Sequence, residues 1–543
     1  MNMATPHIIR QQYLNVEVNG TESEGKALLK SLPDFCQYTL QSALERVMDR
    51  YAPQNGHVVL ERLEIDVRSL TIERFEHELT NHVVQAVEKY FLEHLPSPGT
   101  ILPALRSDQV QQLTEQHAIQ AAFIYFLKTG SLPWSFQLPA EKTLEQVILD
   151  AWRDAENTEA ELRFFKAMLL PVLVSVNSQR RVVRQFSQAF IGVLLARLSL
   201  PAKQAIDKVL SILCGSVLPP TDIKYFERQV WEAALAQVAW GKSLTDRTLV
   251  VATWHSLPMP MSSLMPLARL FEHHWPGTVS GLLVPEKSMA SSLPDSIFSE
   301  KRVGDGDKSA KSSQALENDA DKKTRQTKEI LPAFSASEKT GKDLGSLQQN
   351  VNSSAGADKS LTLKAEKNQH SINEQLDVKD GIYLDCAGLV LLHPFLPQFF
   401  KALDIAADDK ILQPDRALCL LHFLATAQSV APEYALLLPK ILCDVPLETP
   451  VEADVDLMES ERDEAVALLD SVIRHWEALR NTGPDGLRGT FLVRPGKLSR
   501  REGGDWLLQV ETRSYDVLLN QLPWGISMVK LPWMARLLWV EWG

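Results

Sequence analysis

Lys301-Arg-Val-Gly-Asp-Gly-Asp-Lys-Ser-Ala310-Lys-Ser-Ser-Gln-Ala-Leu-Glu-Asn-Asp-Ala320 is the stretch that divides this chain. It lies within residues 286–380, which hold no Trp, Tyr or Cys and only Phe298 and Phe334 as aromatics. Ser, Lys, Asp, Asn, Gln and Gly dominate there. Such a composition buries too little apolar area to offset the entropy of an ordered chain. The expectation for 286–380 is a long disordered linker, a flexible tether between two structured ends. It spans ~310 Å if extended and about 55 Å as a relaxed coil. Its 16 acidic and 15 basic residues nearly cancel, so the net charge of −12 belongs mainly to the flanking parts.

On the N-terminal side the period of the apolar residues changes repeatedly. Leu14, Val16 and Val18 alternate with polar residues, which is strand spacing. Leu28, Leu32, Phe35, Leu40, Leu44, Val47 and Tyr51 follow helical spacing, with Pro33 marking a restart. Pro53 and Asn55-Gly56 break that helix; Leu63, Ile65 and Val67 give a second strand pattern. Thr71 to Leu95 is helical again, up to Pro96-Ser97-Pro98-Gly99. Residues 1–99 therefore read as a small βαβα unit. Residues 100–285 read as mostly helical, through His117–Lys128, Leu144–Trp152, Leu162–Leu198, Ala202–Cys214 and Ile223–Trp240, without a repeat of fixed period.

On the C-terminal side, residues 381–483 read as a helical section. Val466, Leu469, Val472, Ile473, Trp476 and Leu479 form one helix face. Ser460 and Asp463 suggest a capping box, and Gly483-Pro484 a stop. Residues 484–543 read as a β-rich docking unit. Arg494-Pro495-Gly496-Lys497 and Gly503-Gly504 are turn signals, and Trp506, Leu508 and Val510 alternate with Leu507, Gln509 and Glu511. Five of the twelve Trp residues fall between Trp506 and Trp542, a density suited to a compact unit or a docking surface. The fold class is thus α+β and multidomain, with a small Trp-rich β unit at the end.

At 543 residues the chain exceeds one core. Its acidic balance disfavours nucleic acid as a partner. Cys36, Cys214, Cys386, Cys419 and Cys443 are odd in number and widely spaced, which argues against a disulfide framework or zinc site and for a reducing compartment. The first ten residues carry no secretory pattern, and no apolar run reaches membrane-spanning length. The expectation is a cytoplasmic protein without stable membrane association.

The chemical motifs fail on spacing or context. His77 and His82 stand at i and i+5, about 140° apart around a helix, whereas a zinc helix needs i and i+4. Gly304-Asp305-Gly306-Asp307-Lys308-Ser309 lacks phosphate-loop spacing and lies in the linker. Glu272-His273-His274 has no partner at ligand spacing. The sequence nominates no catalytic, cofactor-binding or metal-binding residue. Arg494, Lys497, Arg500 and Arg501 form a basic patch on the predicted hairpin, a docking site for an acidic surface or a solvated edge.

The ends carry a resemblance. His7-Ile-Ile-Arg-Gln-Gln-Tyr-Leu-Asn-Val-Glu-Val18 and Leu60-Glu-Arg-Leu-Glu-Ile-Asp-Val67 stand at one end. At the other stand Gly388-Leu-Val-Leu-Leu-His-Pro-Phe-Leu-Pro397, the stretch Asp485–Arg501, and Tyr515-Asp-Val-Leu-Leu-Asn-Gln-Leu-Pro-Trp-Gly-Ile-Ser-Met-Val-Lys-Leu-Pro-Trp533. Together, over roughly half the chain, they resemble the contractile injection system tape measure protein family. The resemblance implies a non-enzymatic structural part of a phage-tail-like particle, one that sets tube and sheath length. It implies docking to the baseplate hub or spike and to inner tube proteins, with an oligomer in the tube compatible. It also implies incorporation into a particle that the cell releases. Arg494, Arg500, Arg501, Trp524, Trp533 and Trp539 are the docking candidates in the matching block. An assembly adaptor or chaperone for baseplate or cargo fits the composition equally; an envelope-degrading hydrolase has no motif support.

Overall fold

The computed structural model describes residues 7, 9, 12–51, 57–60, 63–67, 70–94, 110–139, 142–154, 158–257, 261–279, 381–479 and 481–542. The linker 286–380 with its Gly304–Ser309 cluster, the Asn55-Gly56 breaker and the Pro96–Gly99 turn lie outside the described residues.

The N-terminal unit starts with a capping box. The Glu24 carboxylate accepts the Thr21 amide at 2.7 Å and the Thr21 hydroxyl accepts the Glu24 amide, opening helix α1 (Glu22–Asp34). Pro33 lies inside α1 and the chain then widens into a π-helical turn, Phe35–Leu40, before α2 (Gln41–Tyr51). A proline donates no amide hydrogen bond, and the wider turn lets the helix continue in a shifted register. Phe35, Leu40, Leu44 and Val47 pack on Phe75, Leu79, Val87 and Phe91 of α3 (Phe75–His94). Residues 14–18 and 63–67 form no ladder; Val16, Leu63, Ile65 and Val67 instead lean half-buried on this helical core. The strands that pair are β1 (His57–Leu60) and β2 (Val110–Leu113), antiparallel, with His57 opposite Leu113.

The middle is helical. Its helices are α4 (Glu115–Thr129), α5 (Leu144–Asp154), α6 (Glu159–Leu173), α7 (Val176–Gln185), α8 (Gln188–Leu198), α9 (Leu200–Cys214), α10 (Pro220–Ala239), α11 (Asp246–Ser256) and α12 (Met261–His274). Thr114, Thr158, Ser187, Ser199 and Thr245 cap five of these with their hydroxyls. The core gathers Phe123, Trp152, Phe190, Leu194, Val230 and Phe271.

The C-terminal part has helices Leu396–Ala402, Pro414–Thr426, Leu437–Leu442 and Glu459–His475 around a five-stranded sheet. After β3 (Ile382–Leu384) and a small pair, β4 (Ala406–Ala407) and β5 (Lys410–Ile411), come β6 (Gly496–Arg500), β7 (Trp506–Val510), β8 (Met528–Val529) and β9 (Leu538–Glu541). The sheet order is β3-β6-β7-β9-β8; β7 and β9 are parallel and the other pairs antiparallel. Trp506, Leu508 and Val510 point into the core, as their alternation predicts. Gly388 has a steric reason: a Cβ there would stand 1.7 Å from the Phe491 carbonyl oxygen. The cap of helix Glu459–His475 sits two residues before the predicted one; the Glu461 carboxylate accepts the Met458 amide at 2.7 Å and also binds Arg416.

The described chain is α+β, largely helical, with a five-stranded C-terminal sheet and two small two-stranded pairs. The flanks of 284–367 belong to one compact unit. The middle and the C-terminal part therefore pack directly on one another, where the sequence pictured two ends held by a tether.

Candidate functional site

The Trp-rich sheet divides the six docking candidates into interior and surface groups. Arg494 is fully buried. Its guanidinium donates to both Asp516 carboxylate oxygens at 2.8 Å and to the Glu511 carbonyl at 2.6 Å. The Tyr515 and Trp542 rings lie 5.2 and 5.4 Å from it. Burial works to raise the Asp516 carboxyl, and donors from Arg494, the Arg513 amide and Trp542 overcome it, holding Asp516 below its ordinary value. Arg494 thus staples the end of the chain to the turn before β6 and has no face for a partner. Trp533 is buried against Phe400 and donates its indole N–H to the Leu442 carbonyl at 2.7 Å. Trp524 is half-buried, edge-on to Phe395, and donates to the Leu391 carbonyl at 3.1 Å. Both anchor the end of the chain to the Gly388–Pro397 segment and its following helix.

Arg500, Arg501 and Trp539 come together at the surface. Gly503 and Gly504, at φ 103° and 88°, make the left-handed turn that closes the β6–β7 hairpin. Arg500 stacks over Trp506 at 4.1 Å and Arg501 over Trp539 at 4.7 Å, both guanidinium groups facing solvent. They edge a groove of about 1110 Å³. Its apolar lining includes Leu437, Ile441, Trp506 and Met534; its other wall, from the helical middle, is Tyr125, Lys128 and Thr129 of α4. Arg536 adds a third guanidinium, and Asp444, Glu448 and Glu502 add carboxylates. Arg536, Met534, Leu437 and Ile441 carry no local signal of this role, because the groove is assembled from segments far apart in sequence. An apolar lining with stacked guanidinium groups suits a protein segment that brings apolar side chains and carboxylates.

The other candidates hold local structure. His82 Nδ1 contacts the Glu78 carbonyl oxygen at 2.8 Å, one turn back along α3. The Glu272 carboxylate accepts the amides of Gly277 at 2.6 Å and Val279 at 3.1 Å, closing the end of α12. Among the described residues no three His, Cys, Asp or Glu side chains are grouped to hold a metal.

A profile of the family described as contractile injection system tape measure protein matches residues 6–542. The chain belongs to that family. The match runs through the middle as well as the ends, further than the end motifs alone reach. No curated protein and no solved structure matches the chain. Membership in the tape measure family carries association with the tube and sheath of an injection particle. No described helix is long and apolar enough to cross a membrane.

Proposed function

We propose that this protein is the length-setting and assembly component of its particle, without catalytic activity, docked at the baseplate hub while tube subunits polymerise. The family match over residues 6–542 carries this reading. The hub contact is the surface of Arg500, Arg501 and Trp539 with the groove beside it, while Arg494, Trp524 and Trp533 hold that surface in shape. The measuring element is the segment 284–367, which joins the two flanks in sequence.

The architecture sets a bound on such a ruler. Fully extended, that segment spans ~290 Å at ~3.4 Å per residue. Tubes from variants with shortened or lengthened 284–367 segments, imaged by electron microscopy, test this. Tube length that follows segment length supports the ruler, and unchanged length removes it.

The shared body of the two flanks favours one second reading, an adaptor that nucleates the baseplate or loads cargo as a folded unit. Mass spectrometry of purified particles separates the two. The tape measure reading requires the chain in finished particles, and its absence there supports the adaptor.

A further inference from the structure

Helix α7 reads as polar, Val176-Asn-Ser-Gln-Arg-Arg-Val-Val-Arg-Gln185, yet Ser178, Gln179 and Arg181 are buried. What covers Arg181 is a stretch more than two hundred residues later. Its Nε donates to the two Glu433 oxygens at 3.0 and 3.1 Å. Its Nη1 donates to the Leu127 and Lys128 carbonyls, both at 2.9 Å, and its Nη2 to the Glu448 carbonyl at 2.6 Å. Lys440 reaches Glu433 from the other side at 2.7 Å and donates to the Leu447 and Thr449 carbonyls at 2.8 Å. Arg181, Glu433 and Lys440 are all fully buried. Two cations meet one carboxylate, and five main-chain carbonyls, two from the last turn of α4 and three from the loop 447–449, offset the remaining charge.

The contact continues on both sides. The Gln185 side chain accepts the Glu433 amide and donates to the Val451 carbonyl, each at 2.8 Å. Arg184 donates to the Pro450 carbonyl at 2.9 Å, and Arg228 to the Glu452 carboxylate at 2.7 Å. The Tyr434 ring inserts into the helical core, edge-on to Phe126 at 5.9 Å. Gly130 ends α4 at φ 79°, and a Cβ there would lie 2.4 Å from Glu433 Oε1. One side thus supplies a cationic helix face and an aromatic socket; the other supplies the carboxylate and the ring that fill them. Parting them breaks the Arg181–Glu433 pair and the hydrogen bonds that Arg181, Arg184 and Gln185 make to residues 448, 450, 451 and 433, and it exposes the Tyr434 ring; because the charge cluster is fully buried, salt screens it little.

We infer that this seam is a self-sufficient interface: the chain up to residue 283 and the chain from residue 368 bind each other without the covalent link between them. The partner of each flank is the other flank, recognised by an aromatic anchor and a buried three-charge cluster. The segment between them is then free to change in length or to be cut while the body stays closed.

The test uses the full-length protein with a site-specific protease site placed between residues 284 and 367. After cleavage, the fragments are run by size exclusion at low and high salt. The expected result is a single co-eluting species at both. Fragments that separate, or that aggregate once cut, overturn the inference. Glu433→Ala removes the shared carboxylate, and its cut fragments no longer co-elute. Should that variant fail to fold, Glu452→Gln loosens only the rim and shows partial loss of co-elution, first in high salt. Arg501→Ala, away from the seam, leaves co-elution unchanged. The readout is fragment association rather than tube length, so its failure leaves the proposed function standing.

Discussion

The N-terminal unit and the seam use charge in opposite ways. In the N-terminal unit Lys26 and Glu22 pair across one turn of α1 with both side chains largely in water, at 75% and 84% exposure. Pairs of that kind contribute about 0–1 kcal/mol. At the seam Arg181 and Glu433 are paired at 0% exposure. The cores differ in the same direction. Helix α1 buries no residue, whereas helix Pro414–Thr426 buries every residue from Ala417 to Ala425. A helix apolar on one stripe is held by one neighbour; a helix buried all round is held by its whole surroundings. The joined middle and C-terminal body is therefore expected to be the more stable part, and the N-terminal unit the first to open.

The largest effect that would break this contrast is at Glu433. Glu433→Ala leaves Arg181 and Lys440 buried without their carboxylate and is expected to cost about 3–5 kcal/mol. Urea denaturation of the full chain measures it; a loss under about 1 kcal/mol would place the seam among surface pairs. Arg494→Ala follows. It removes a guanidinium held by Asp516 and two aromatic rings and is expected to cost about 2–4 kcal/mol, read as lost hydrogen-exchange protection across β6, β7 and β9. In the N-terminal unit, Leu44→Ala is expected to cost about 2–3 kcal/mol, with the added hydrogen exchange confined to residues 12–94. Exchange that spreads into α4–α12 would show one cooperative unit instead of a body with an appendage.

Acid gives a smaller contrast. His422 is buried in helix Pro414–Thr426, and burial pushes it down to about 4 against weaker opposing contacts from Gln428 and Val430. His77 and His82 of α3 are exposed. Because the folded body holds His422 neutral, the unfolded chain binds the extra proton between about 4 and 6.5. Its stabilising contribution is full above about pH 6.5 and is lost as pH falls towards 4, on the order of 1–3 kcal/mol. His422→Leu should flatten the pH dependence of the urea midpoint in that window, and an unchanged slope would assign it to other groups.

What the sequence makes legible is local. The alternation of Trp506, Leu508 and Val510 is a two-residue period, and the helices of 115–239 carry their own spacing and caps. The seam is not local. Arg181 and Glu433 are 252 positions apart, and a helix as polar as Val176–Gln185 reads as solvated until its cover is known. Arg494 misled for a related reason. An arginine before Pro495-Gly496 resembles a turn residue at the surface, while its carboxylate stands at Asp516, past a whole hairpin. Around residues 63–67 strand periodicity was real, but the half-buried side lies on helices rather than in a ladder; of residues 14–18 only Val16 leans on that core, and Leu14 and Val18 are exposed. Arg500, Arg501 and Trp539 were nominated from the matching block, and their shared surface with the groove needed the tertiary fold.

That surface gives the smallest expected effect on stability and the sharpest one on assembly. Arg500 and Arg501 lie over indole rings but face solvent, so each exposed cation–π contact is worth about 0.5–1 kcal/mol. Replacing both with Ala should shift the urea midpoint far less than Arg494→Ala does, although all three arginines stand within eight residues of one another. If the hairpin is the hub contact, the double variant folds normally and yet is depleted from purified particles, by mass spectrometry, at least as strongly as the unstable Arg494→Ala chain. A folded double variant incorporated at the normal level would move the docking site off the hairpin. The two guanidinium groups would then be the edge charges that keep a small sheet from pairing with its neighbours.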